Sequence, residues 1–86
     1  MVRIWAKVVK DDKIQKEYIF ELFERIDYSK FFDYLVDICY NLDVPTPVVL
    51  KTHIFYYAKY NTVKFTESDF VESIDFDKLI LENALL

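Results

Sequence analysis

Cys39 and His53 are the single cysteine and the single histidine of this chain, and together they are its best material for nucleophilic chemistry. A thiol within hydrogen-bond reach of an imidazole can be activated for attack on a carbonyl. The surrounding pattern does not complete such a site. Cys39 falls on the apolar face of a predicted helix, where a thiol is normally an inert small hydrophobe with a raised pKa. No segment signals an oxyanion hole. Both residues are read as packing residues, with His53 also suited to a pH-sensitive contact, since its reference pKa is about 6.5.

The carboxylates Glu67, Asp69, Glu72, Asp75 and Asp77 are the next candidates. A hard-cation site wants several oxygens on a tight loop, usually with glycine at the bend. The chain has no glycine, and the spacing is not that of an EF-hand. These side chains are read as caps and charged sheet edges. The missing glycine also removes the P-loop and the dinucleotide-binding turn. A lone cysteine excludes an internal disulfide framework and multi-cysteine zinc modules. The expectation is a protein that is not an enzyme and has no cofactor or metal.

Lysines interleaved with aromatic rings raise a third chemistry. Lys51, Lys59 and Lys64 lie among Phe55, Tyr56, Tyr57 and Tyr60, and rings beside cations can stack single-stranded bases. Against this stands the net charge of −4, from 11 Lys plus Arg and 15 Asp plus Glu. Phosphate binding needs a basic face. The signs are nevertheless segregated: residues 1–16 sum to +3, 17–43 to −5, 44–66 to +3 and 67–86 to −5. Residues 44–66 hold no carboxylate side chain.

With 86 residues the chain has room for a single domain, residues 1–86, whose small core is marginal alone. Its eight Phe, seven Tyr and one Trp are more rings than such an interior accommodates easily. No apolar run reaches the roughly 18 residues of a membrane span. The N-terminus has neither a secretory nor a transit pattern. A free thiol then makes the cytoplasm the expected compartment.

The elements that must position these residues follow from periodicity. Residues 2–9 alternate as a strand, with Val2, Ile4, Ala6 and Val8 on one face. Lys10-Asp11-Asp12-Lys13 supplies a turn, since aspartate tolerates the left-handed conformation. Residues 14–23 fit either a helix, with Ile14, Tyr18, Leu22 and Ile26 in one stripe, or a strand, with Ile14, Tyr18, Phe20 and Leu22 on one side. The turn and the β-branched and aromatic content favour the strand of a hairpin. A helix over about 29–42 is capped by Ser29 and buries Phe31, Phe32, Leu35, Ile38, Cys39 and Leu42. Asp43-Val44-Pro45 ends it. Thr46-Pro47 reads as an N-cap and first-turn proline opening a second helix, about 47–60. Thr62–Phe65 and Lys78–Asn83 are short strands, and Thr66-x-x-Asp69 is a capped turn. The sum is a two-layer α+β domain, two helices over a three- or four-stranded sheet.

The stretch Leu42-Asp43-Val44-Pro45-Thr46-Pro47-Val48-Val49-Leu50-Lys51-x-His53, with Asp69-Phe70-Val71-Glu72 and Asp75-Phe76-Asp77, resembles a group of short uncharacterised bacterial proteins. Trp5-Ala6-Lys7-Val8 and Asp12-Lys13-Ile14 are similar to them too. The resemblance implies a stand-alone bacterial domain and carries no activity.

The composition points to protein binding. Surplus Phe and Tyr on a marginal core favour covering a surface patch, most simply in a homodimer. The expected surface is Phe55, Tyr56, Tyr57 and Tyr60, with Trp5 second; another protein is the next partner to consider. Nucleic acid at Lys51, Lys59 and Lys64 is the alternative.

Overall fold

The computed structural model describes residues 1–85. Alternation builds its first element: in β1 (Val2–Lys10), Val2, Ile4, Ala6 and Val8 are buried, while Arg3, Trp5 and Lys7 take the other face. Asp11 and Asp12, at φ 52° and 63°, turn the chain into β2 (Lys13–Leu22). Two successive left-handed residues give the type I′ geometry that matches strand twist. Asp77 Oδ2 accepts the Asp11 N–H at 2.8 Å and braces this glycine-free turn.

One expectation for β2 fails at a bulge. Val8 pairs with Lys16 but Val9 pairs with Ile14, so Gln15 is an extra residue. The bulge inverts the parity of everything before it. Ile14 therefore joins the outer face with Val9 and Ile19, half-exposed, and not the inner row of Tyr18, Phe20 and Leu22.

The sheet has four antiparallel strands in the order β2-β1-β4-β3, with β3 at Thr62–Thr66 and β4 at Lys78–Asn83. Leu79 and Leu81 face inward as expected and meet Val63 and Phe65 of β3 in the same core. Two helices, α1 (Phe31–Leu42) and α2 (Lys51–Tyr60), cover that inner face. The domain is the two-layer α+β fold that the periodicities imply.

The helix boundaries differ from the expected ones in instructive ways. A 3₁₀ turn (Tyr28–Lys30) precedes α1, and its cap is Asp27, not Ser29. Ser29 is the donor there: its N–H and its hydroxyl both reach Asp27 Oδ1, at 3.0 and 2.6 Å. Phe32 was expected in the core and is half-exposed, because the buried stripe runs through Phe31, Leu35, Ile38 and Leu42. Helix α1 ends in a Schellman motif, with Asp43 at φ 56° and Val44 N–H on Cys39 O at 3.1 Å. Lys16 Nζ reaches the Leu42 carbonyl at 3.0 Å, placing a cation at the negative end of the helix and tying it to β2.

Helix α2 starts at Lys51, not 47. Pro47 lies buried in an extended segment whose Val48 N–H bonds Asp69 O at 2.8 Å. The first turn is closed instead by His53, whose Nδ1 accepts the Leu50 N–H at 2.9 Å.

Two outcomes follow from this packing. Replacing Asp43 by glycine removes the cost of a left-handed non-glycine residue and is expected to raise stability by about 1 kcal/mol. Phe31→Ala empties the contact between the helices and is expected to cost about 3–5 kcal/mol. Urea unfolding followed by far-UV circular dichroism checks both.

Candidate functional site

The phase of α2 decides which of its rings face solvent. Tyr57 is 2% exposed and packs on Phe31, with ring centroids 5.2 Å apart. Ile54 follows it toward the core, and His53 lies on Phe65 at 4.6 Å. Phe55 lies opposite Tyr57, and Tyr56 and Tyr60 lie on the flank toward β3; the three are exposed by 57%, 53% and 53%. Tyr57, expected among the surface rings, belongs to the core and leaves that set. Its burial pushes the phenol pKa up.

The three outer rings touch one another. Phe55 and Tyr56 meet edge-on at 6.2 Å, and Tyr56 stacks on Tyr60 at 5.5 Å. The Lys59 ammonium lies 5.6 Å from the Phe55 centroid and 5.3 Å from that of Tyr60. A cation at that distance from a ring face is attracted by its quadrupole. The result is a continuous aromatic ridge with a lysine set into it.

Trp5 does not join the ridge. It stands on the outer face of β1, opposite Ile19 of β2, with the Lys7 ammonium 4.1 Å from its ring. Its indole N–H donates to Glu17 Oε1 at 3.1 Å. Lys7 in turn pairs with Glu82 at 2.7 Å, and Arg3 pairs with Glu21 at 2.9 Å. This face is a lattice of cross-strand ion pairs with the tryptophan built into it.

Alongside the ridge, a groove of about 760 Å³ runs from α2 around the free edge of β3 toward the outer face of the sheet. Tyr56, Tyr60 and His53 form its helical wall, and Val63, Lys64 and Ile80 form its sheet wall. Of the three lysines singled out in the sequence, Lys64 lines this groove and Lys59 sits in the ridge; Lys51 is exposed at the start of α2. Sequence reasoning missed the groove, because it exists only once α2 and β3 are side by side.

His53 and Cys39 are not brought together. Cys39 is buried in the core face of α1 and borders a different surface depression, beside Val44 and Pro45. The imidazole is engaged on both nitrogens: Nδ1 takes the Leu50 N–H, and Nε2 faces Asp69 Oδ1 at 3.5 Å. Accepting at Nδ1 places the neutral ring's proton on Nε2. Two of the tail carboxylates are also accounted for. Asp69 Oδ2 accepts the Thr66 N–H at 2.8 Å, and Asp77 braces the β1–β2 turn. Among the described residues, no helix is long and apolar enough to cross a membrane.

Comparison with known proteins returns no match among family models, curated proteins or solved structures.

Burial pushes the Cys39 thiol up to about 11, against a smaller opposing hydrogen bond from the Thr46 side chain. The unfolded chain loses this proton near 9.0, the folded chain near 11. The contribution is thus complete below pH 9 and is lost as pH rises toward 11. The urea midpoint is expected to fall across that window and to fall less in Cys39→Ala. Equal slopes for the two proteins would contradict the assignment.

Proposed function

We propose that this is a small cytoplasmic, non-enzymatic protein-interaction domain that self-associates through the outer face of α2. One observation carries the reading: Phe55, Tyr56 and Tyr60 are in mutual contact yet half in solvent, on a helix whose core contact is made by Tyr57. Rings already held together lose little side-chain freedom on binding, and Tyr and Phe are enriched at interface centres. The same patch on a second copy is self-complementary, which closes at a dimer. Lys59 stays in the ridge, its charge held against the Phe55 and Tyr60 rings.

The test is light scattering behind size-exclusion chromatography over a dilution series, with absorbance read at 260 and 280 nm. The wild type is expected at dimer mass, falling to monomer on dilution. The Tyr56→Ser/Tyr60→Ser double variant is expected to dissociate at about tenfold higher concentration or more, since central tyrosines are typical hot spots. A wild-type monomer at every concentration would contradict the reading. Co-eluting nucleic acid that salt removes would favour the alternative, in which Lys51, Lys59 and Lys64 hold phosphates beside the same rings.

A further inference from the structure

The edge of β3 carries a second surface, distinct in kind from the ridge because it is made of backbone. Asn83 N–H donates to Asn61 O at 2.8 Å, which makes these two a hydrogen-bonded pair at the end of the β3–β4 ladder. Antiparallel ladders alternate. Val63 and Phe65 therefore point their backbone groups at β4, while Thr62, Lys64 and Thr66 point theirs away from the sheet. Thr66 confirms the parity, since its N–H turns outward to Asp69 Oδ2. Among the described residues, no hydrogen bond reaches the outward N–H and C=O groups of Thr62 and Lys64. The strand order leaves this edge free.

We propose that the β3 edge, together with the groove beside α2, binds an extended polypeptide segment of alternating carboxylate and apolar residues as a fifth strand. Strand addition uses edge backbone groups for affinity and alternate side-chain positions for specificity. On the groove side, the incoming strand's apolar residues meet Tyr56, Tyr60 and Val63. On the outer side, its residues meet Lys64 and Lys78, and the one carboxylate there, Glu82, is already paired with Lys7. Among the described residues neither lysine has a carboxylate partner, and the nearby Asp69 carboxylate is already engaged by the Thr66 N–H and His53, which is why the occupant is acidic. Charge also argues against a second copy using the same edge. Two antiparallel β3 strands centred on Lys64 would set like charges opposite each other, which is destabilising. The proposal goes beyond self-association, and because Tyr56 and Tyr60 serve both surfaces, a docked strand competes with the α2 contact.

The probe is a fluorescein-labelled octapeptide alternating glutamate and valine, added to ¹⁵N-labelled full-length chain. Its controls are the lysine–valine peptide and a backbone N-methylated copy. Binding is expected to slow amide exchange at Thr62 and Lys64, with at least tenfold weaker binding of either control. Lys64→Glu and, separately, Lys78→Glu are expected to weaken the glutamate peptide by a similar factor. Absence of binding would overturn the proposal, as would binding that leaves those two amides unprotected or that tolerates N-methylation. Protection of Thr62 and Lys64 in the chain alone, appearing with concentration, would overturn it in favour of a second copy.

Discussion

The Tyr57 ring lies against Phe31 with centroids 5.2 Å apart, and it is the one buried residue of α2 among those described. Phe31 also meets Tyr34, and Tyr34 meets Phe20 of β2, so one aromatic chain links α2 through α1 to the sheet. At α2's other end, His53 closes the first turn and rests on Phe65. Ten residues of helix are marginal by themselves, so tertiary contacts must hold them. Because those contacts use one side of the helix, Phe55, Tyr56 and Tyr60 have nowhere to go but outward. The ridge is the consequence of where Tyr57 is anchored, and the groove is the gap that anchoring leaves beside β3.

Charge follows the same geometry. The carboxylate-free stretch of residues 44–66 becomes α2 and β3, whereas the acidic stretch of 17–43 becomes β2, its following loop and α1. The two edge strands differ in balance: β3 carries Lys64 alone, whereas in β2 Lys13 and Lys16 offset Glu17 and Glu21. On the outer face the charges neutralise one another through Lys7–Glu82 and Arg3–Glu21. On the β3 side the neutralisation stops short. Segregated sign in the sequence is therefore part pairing and part surface field.

Much of the fold is legible because the strands alternate cleanly. Val2, Ile4, Ala6 and Val8, then Leu79 and Leu81, declare their inner face by period two, and the paired aspartates declare the turn. The failures have physical causes. Thr46-Pro47 carries the chemistry of a helix start, yet Pro47 is used as a buried residue in an extended segment, and the true start depends on a histidine standing where glutamate or glutamine usually closes the box. Gln15 gives no sign of being the extra residue of a bulge. Tyr56, Tyr57 and Tyr60 are alike in type, so which one is core depends on the helix phase, and α2 is too weakly amphipathic to reveal it. The ridge is legible apart from Tyr57, and Trp5 stands apart from it on the outer sheet face with Arg3 and Lys7, as the alternation of β1 implies.

Native-state amide exchange on the unliganded chain tests the central claim directly, namely that α2 hangs on one buried ring beside an open edge. The account predicts that α2 amides open at lower free energy than those of α1, β1 and β4, as a separate unit. It also predicts fast exchange at Thr62 and Lys64 next to slow exchange at Val63 and Phe65. Exchange of α2 only through global unfolding, or equal protection along β3, would contradict it.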